Sequence, residues 1–163
     1  MSKHWYIKHL ISKNTKDKSR GLDIGSGNDN WKEVKHCNFA NIDKYQPKNM
    51  SFSYDSFDIV DIEKDDLPFA DNSFDIIISI NVLNSLINYR VINEIYRVLI
   101  KNGMFIVVVD NEKANQQGTM TQTKLRLLFP NDKFVFKMNL FDRFLAWYYN
   151  KTSVYAFTII IKK

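Results

Sequence analysis

Three aspartates and a glycine turn are the residues of this 163-residue sequence whose types and spacing could do chemistry. Gly25-Ser26-Gly27 directly follows a short apolar segment that contains Asp23, and Asp43 and Asp61 follow the next two apolar segments. Glycine lets a backbone approach a ligand closely and adopt angles that are closed to other residues. A charge inside a strand, as at Asp23, is costly unless it fixes a loop or meets a cation. The pattern predicts a ligand site made of loop backbone and carboxylates.

The acids indicate which ligand such a site would hold. A carboxylate at the end of the second strand, Asp43, can accept two hydrogen bonds from ribose hydroxyls, and Asp61 can accept one from an exocyclic amine. Three carboxylates at consecutive strand ends suit a ribonucleoside that carries positive charge. A dinucleotide would need a third glycine beside its pyrophosphate, and that position is Asp29, after Asn28 as a possible helix cap. A nicotinamide oxidoreductase therefore stays a disfavoured alternative.

The elements that must position these residues alternate between strand and helix patterns. Apolar residues recur at spacings of three and four in segments 4–11 and 91–99, which predicts two amphipathic helices, the second ending before Gly103. Strands are predicted at 21–24, 39–42, 58–62, 73–82, 104–109, 134–136 and 154–161, a helix at 122–129, and a helix or loop at 140–149. The order predicts an α/β fold: a doubly wound, mostly parallel sheet of about seven strands with helices on both faces.

Length and composition predict one domain over residues 1–163, in which 1–20 add an N-terminal helix and loop and no separate substrate domain exists. With 45% hydrophobic and 25% charged residues the chain is typical of a globular protein. No apolar run approaches the roughly 18 residues of a membrane span and no signal segment opens the chain, so we expect no membrane insertion and a cytoplasmic location. The single cysteine, Cys37, is expected to be a packing residue.

Charge is unevenly distributed along the chain. Segment 55–75 holds eight acids against one lysine, whereas the first twenty residues hold six basic residues against one acid, within a net charge of +5. Such a basic balance marks either a surface for nucleic acid or a solvated face. The pair Asp65-Asp66 has no third ligand at metal-binding spacing, and no metal site is expected.

Several motifs together resemble one family. Asp23-Ile24-Gly25-Ser26-Gly27 resembles the first motif of class I S-adenosylmethionine-dependent methyltransferases, Asp43 their ribose-binding acid, and Asp61-Ile62 their adenine-binding pair. Leu67-Pro68-Phe69-Ala70-Asp71-Asn72-Ser73-Phe74-Asp75 is similar to the LPF-x-D-x-SFD segment of the type 11 group. Glu94-Ile95-Tyr96-Arg97-Val98-Leu99 resembles that group's E-I-x-R-V-L segment. The resemblance extends over residues 21–110.

This resemblance implies S-adenosylmethionine as the cofactor and assigns residues to it. The implied cofactor-binding set is Asp23, Gly25, Ser26, Gly27, Asn28, Asp43, Lys44, Asp61, Ile62, Ser79 and Asn81. Within it the glycine turn would cradle the methionine part, Lys44 would lie beside the ribose, and the Ile62 amide would meet adenine. The sequence departs from the family pattern at Asp29, Asn102 and Ser85, and the last of these stands where many relatives carry a histidine base.

The implied reaction is in-line SN2 methyl transfer to an unidentified acceptor, expected to be a small molecule or a sugar or lipid intermediate. No catalytic residue is assigned, because a sulfonium methyl is already activated and needs chiefly alignment and exclusion of water. Candidates at the expected mouth are Asn81, Asn84, Ser85, Tyr89 and Asp110. Two alternatives stay open: a nucleic-acid methyltransferase, and a catalytically silent S-adenosylmethionine-binding subunit. A homodimer or a partner subunit also stays open.

Overall fold

A single twisted sheet organises the chain. The computed structural model describes residues 3–27, 31, 34–46, 56–110, 128 and 156–163. In this part six strands form one sheet in the order β3-β2-β1-β4-β5-β6. Their bounds are β1 Ser19–Ile24, β2 Cys37–Asp43, β3 Ser56–Ile59, β4 Phe74–Ile80, β5 Leu99–Asp110 and β6 Ala156–Lys162. The first five strands pair in parallel and β6 is antiparallel to β5, so the prediction of a mostly parallel α/β sheet is confirmed.

Helices cover both faces of this sheet, as predicted. On one face, α1 (Lys3–Asn14) buries Ile7, Leu10 and Ile11 in a cluster with strand residues that include Ile76. On the other face, α2 (Val91–Val98) packs in a cluster that includes Ile77. Ile76 and Ile77 reach opposite clusters because successive side chains of a strand point to opposite faces. No helix within the described ranges is long and apolar enough to span a membrane.

The boundaries of several elements differ from the predicted ones. Helix α2 ends at Val98 and β5 begins at Leu99, so Gly103 lies inside a strand and not after a helix end. The chain changes from helix to strand at Leu99 because this residue has extended backbone angles and pairs with Phe74 of β4. Strand β3 ends at Ile59, three residues before the predicted end, and Asp61 therefore lies in the following turn. The predicted elements at 134–136 and 140–149, and all of 122–129 except Leu128, lie outside the described residues.

The two motif segments around α2 are joined by one guanidinium group. Arg97 donates to both carboxylate oxygens of Glu94, at 3.0 and 2.7 Å, and to the backbone oxygens of Leu67 and Phe69, at 2.9 and 2.7 Å. Its Nη1 also donates to Asp71 at 2.8 Å. Glu94 in turn accepts the Leu67 N–H at 2.9 Å. The arginine therefore fixes the 67–71 segment, which leads into β4, against helix α2.

Candidate functional site

A cleft of about 380 Å³ lies at the carboxyl ends of the parallel strands. The chain enters it after β1, β2, β3 and β4, which includes the point between β1 and β4 where the strand order reverses. Open α/β sheets bind ligands at such a reversal. The lining residues are Gly25, Asp43, Lys44, Tyr45, Val60, Asp61, Ile62, Glu63, Asn81, Val82, Ser85 and Leu86. Six of the eleven residues predicted from the sequence are therefore brought together here.

The glycine turn after β1 leaves no space for a side chain at its first position. Gly25 has φ +69°, and a Cβ there would lie 2.1 Å from Cγ2 of Val82. The N–H groups of Gly25 and Ser26 both donate to the Ile42 carbonyl, at 2.8 and 3.1 Å, which fixes the turn to β2. Backbone therefore forms this wall of the cleft, as the sequence predicts.

Asp43, the last residue of β2, is oriented by two backbone donors. Its Oδ2 accepts the Gly27 N–H at 2.9 Å and its Oδ1 accepts the Tyr45 N–H at 3.1 Å. A carboxylate has about four acceptor positions, so these bonds leave capacity for further donors such as hydroxyl groups. The contact with Gly27 connects the acid directly to the glycine turn.

Asp61 is held by two lysines. Its Oδ2 lies 3.2 Å from the ammonium nitrogen of Lys44 and 3.2 Å from that of Lys64, and its Oδ1 accepts the Glu63 N–H at 3.3 Å. Desolvation acts to raise the pKa of Asp61, whose side chain is 17% exposed, but the hydrogen bonds from both lysines outweigh it and lower the pKa. Lys44, expected beside the ribose, thus pairs with the acid after β3, and this contact raises the lysine pKa.

Three predicted residues are buried beneath the cleft and do not line it. Asp23 is almost wholly buried in β1 and accepts the indole N–H of Trp31 at 2.6 Å, so it braces the layer behind the glycine turn. The hydroxyls of Ser26 and Ser79 are buried and have no hydrogen-bond partner among the described atoms. Gly27 adjoins the cleft through Asp43, and Asn28 lies outside the described residues.

The candidates at the mouth are placed only in part. Asn81 and Ser85 line the cleft, and the Ser85 hydroxyl donates to the Val82 carbonyl at 2.9 Å. Tyr89 packs against the core on the α2 face. The side chains of Asn84 and Asp110 are outside the described set.

Sequence reasoning missed several lining residues, namely Tyr45, Val60, Glu63, Val82 and Leu86. Tyr45 and Glu63 each follow a predicted acid by two residues, so their position beside Asp43 and Asp61 was the available signal. Val60 is one residue from Asp61 but was assigned to a strand. Val82 and Leu86 carry no polar signal that distinguishes them from core residues.

Comparison with known proteins assigns the family. Residues 22–107 match the family model described as a methyltransferase domain, which is more than half of the chain. The chain belongs to this methyltransferase domain family. The match spans the glycine turn, both cleft acids and the Arg97 contacts. S-adenosylmethionine is the methyl donor of the family, as the sequence motifs implied.

Individual relatives agree on the fold of this methyltransferase domain. The YcgJ protein of Bacillus subtilis has a TM-score of 0.63 at 21% identity, over 78% of this chain and 67% of that one. An S-adenosylmethionine-dependent methyltransferase of Aquifex aeolicus has a TM-score of 0.64 at 13% identity, over 96% and 88% of the two chains. An uncharacterized protein of Methanocaldococcus jannaschii is 48% identical over 48 residues. That match spans 29% of this chain and about a fifth (21%) of the relative's length.

The methyltransferase cleft has the donors and acceptors that its family's cofactor needs. At Gly25 the wall is backbone, because Val82 occupies the place of any Cβ. Asp43 keeps acceptor capacity beyond its two backbone bonds, and Asp61 is held ionised by its lysines. The residues present therefore fit S-adenosylmethionine.

Proposed function

We propose that this protein transfers a methyl group from S-adenosylmethionine to a small-molecule acceptor, such as a sugar or lipid intermediate. The observation that carries the proposal is the convergence of Gly25, Asp43 and Asp61 on one cleft at the reversal of strand order. When bound, S-adenosylmethionine supplies a methyl group that is already activated on a sulfonium.

The chain's own residues then have binding and orienting roles. Asp43 would accept the two ribose hydroxyls with its remaining lone pairs, and its bond to Gly27 would keep that acid aligned with the glycine turn. Asp61 and the backbone at Ile62 would meet adenine. The turn itself would lie along the methionine part, with the Val82 side chain packed against Gly25 where any Cβ would stand.

Of the candidates at the mouth, Asn81 and Ser85 line the cleft, and neither is an evident base toward the acceptor. The Ser85 hydroxyl proton is used by the Val82 carbonyl, and Asn81 carries a neutral amide. In-line transfer needs no obligatory base, so alignment and exclusion of water are the tasks left to the protein.

The basic segment before β1 lies away from the cleft, which favours a small acceptor over a nucleic acid held by this segment. Lys16 and Lys18 precede β1 and line a separate depression at the amino ends of the strands, with Asp17 and Asp75. The cleft lies at the carboxyl ends. A six-residue strand separates the two edges by about 20 Å at roughly 3.3 Å per residue, so this basic segment lies far from the methyl-transfer site.

Calorimetric titration of the full chain tests the cofactor assignment. S-adenosylmethionine and S-adenosylhomocysteine should both bind, and NAD should not. Asp43→Ala should weaken binding about tenfold to a hundredfold, because two hydrogen bonds to a charged acceptor are lost. Asp17→Ala, an exposed acid at the opposite edge, is the matched control and should bind as the wild type does.

Two outcomes would contradict the proposal. Binding of NAD alone would overturn the cofactor assignment, and undiminished binding by Asp43→Ala would overturn the ribose assignment. Transfer of labelled methyl into separated extract fractions identifies the acceptor class. Label in the nucleic-acid fraction would reverse the choice of acceptor, and binding with no transfer into any fraction would favour a silent subunit.

A further inference from the structure

A carboxylate that belongs to none of the family motifs connects two walls of the cleft. Oε1 of Glu63 accepts the backbone N–H groups of Ile87 and Asn88, at 2.8 and 3.3 Å. Glu63 follows Asp61 by two residues, and Ile87 directly follows Leu86 on the facing wall. We call this set of contacts the Glu63 clasp.

The segment that the clasp holds, residues 87–88, is flanked by Leu86 and Tyr89, which pack against the core, and its Asn88 side-chain amide also donates to the Glu63 carbonyl at 3.5 Å. It lies between the short helix Leu83–Ser85 and α2, in irregular structure. The Ile87 side chain is 93% exposed and therefore contributes no packing that would fix this part of the chain. Asn88 is exposed as well. Neither side chain of segment 87–88 is buried, so the position of this backbone depends on its hydrogen bonds, for which Glu63 supplies an acceptor oxygen.

A second contact joins the same two parts of the chain. Arg90 donates from Nη1 to the Lys64 carbonyl at 2.6 Å and pairs through Nη2 with Asp66. Segments 63–66 and 87–90 are therefore joined at two points, while Leu86 and Asp61 face the cleft between them. Breaking the Glu63 contacts would release the Leu86 wall at its end nearest to Asp61.

We propose that Glu63 is a positioning residue for the nucleoside end of the methyl donor. It acts through Ile87 and Asn88, by holding the Leu86 wall at its distance from Asp61 and Ile62. The proposal rests on the proposed function. It requires an acceptor oxygen at Glu63 and not a negative charge, so Glu63→Gln should keep the role and Glu63→Ala should lose it.

Titration with S-adenosylhomocysteine and amide hydrogen exchange on the full chain test this together. Glu63→Ala should bind about tenfold more weakly, and the amides of Ile87 and Asn88 should exchange faster. Glu63→Gln should remain within about threefold of the wild type in both measurements. Asp17→Ala is the control for removal of an exposed acid. The unfolding midpoint of the unliganded protein should shift by less than about 2 °C, because the lost bonds are at the surface.

Each contrary result has a distinct meaning. If the wild type binds and Glu63→Ala binds equally well, the positioning role is wrong and the proposed function stands. If Glu63→Gln weakens binding as much as Glu63→Ala, charge and not the clasp is responsible, and the role is again wrong. A fall of more than about 5 °C in the unliganded midpoint of Glu63→Ala would indicate a structural role and overturn it. If the wild type itself does not bind, the proposed function fails and this role fails with it.

Discussion

Replacing Arg97 by methionine tests how strongly one side chain holds the 67–71 segment on α2. Arg97 is 30% exposed and Glu94 is 13% exposed, so solvent screens their contact only in part. Removal leaves the Leu67 and Phe69 carbonyls without this donor, at about 1 kcal/mol each, and the Glu94 carboxylate without its ion pair, at about 1.5 to 3 kcal/mol. Asp71 is largely exposed and adds little. We expect a loss of about 3.5 to 5 kcal/mol in the free energy of unfolding.

Urea unfolding at pH 7 measures this loss, and Arg90→Met is the matched control. Arg90 pairs with Asp66 at the surface, where ion pairs are worth roughly 1 kcal/mol or less. If Arg97→Met lowers the free energy of unfolding no more than Arg90→Met does, the reasoning is refuted. The partial burial of the Arg97–Glu94 pair would then add nothing to stability.

The pH dependence of the same difference follows from Glu94. The hydrogen bonds from Arg97 are the largest cause that lowers the pKa of Glu94 below its ordinary 4.5, against a smaller opposing effect of desolvation. A carboxylate with a lowered folded pKa stabilises the fold fully above its unfolded value and loses this contribution as pH falls through the folded value. The gap between wild type and Arg97→Met should therefore be constant above about pH 5 and shrink below pH 4.5. A gap that is independent of pH down to acid unfolding would show that Glu94 is not the main partner.

Three further substitutions or probes examine the layer around the glycine turn. Gly25→Ala would place a carbon 2.1 Å from Cγ2 of Val82, at a residue with φ +69°. We expect a loss of about 2 kcal/mol in the free energy of unfolding and no detectable cofactor binding by calorimetry. A variant as stable as the wild type would contradict that geometry. Trp31→Phe removes the indole N–H that donates to buried Asp23 at 2.6 Å. We expect a loss of about 1.5 to 3 kcal/mol in the free energy of unfolding, measured in urea. A loss below about 0.5 kcal/mol would show that this hydrogen bond is not needed for stability. Burial, with a smaller effect of Asp75, raises the pKa of the Cys37 thiol to about 12. A thiol reagent at pH 8 should therefore modify Cys37 only after unfolding. Rapid modification of the native protein would refute the burial of Cys37.

The fold could be predicted from the sequence where apolar periodicity alone decides it. The continuous apolar run of β4 and the helical spacing of α2 identified both elements, because buried parallel strands and amphipathic helices leave these patterns. The end of α2 could not be predicted. Leu99 continues the helical spacing, but it pairs with Phe74 on the neighbouring strand, and this tertiary contact overrides the local pattern. Val60 and Ile62 similarly suggested a longer β3, whereas the strand ends at Ile59 and Ile62 begins a turn, with both side chains buried.

The candidate site was predictable where the glycine turn or an acid directly follows an apolar segment. Asp43 and Asp61 meet that condition, and both line the cleft. The Glu63 clasp joins residues 24 positions apart, and its donors are backbone N–H groups that every residue but proline carries. Such a contact cannot be predicted from the residue types in the sequence. The same holds for the pairing of Lys44 with Asp61, since the spacing alone does not indicate which acid the lysine reaches.

The structure also changes the physical reason for cofactor recognition. Counting acids in the sequence suggested a negative site that attracts a sulfonium, but Asp23 is buried against Trp31 and Asp61 is compensated by two lysines. Asp43 instead accepts two backbone N–H groups, which orient it without cancelling its charge. Desolvation acts to raise the pKa of Asp61, and the hydrogen bonds from the lysines act to lower it. Asp43 and Asp61 are therefore oriented hydrogen-bond acceptors, and under the proposed function such acceptors would select the ribose and adenine of a nucleoside by geometry, whatever the charge of the group attached to it.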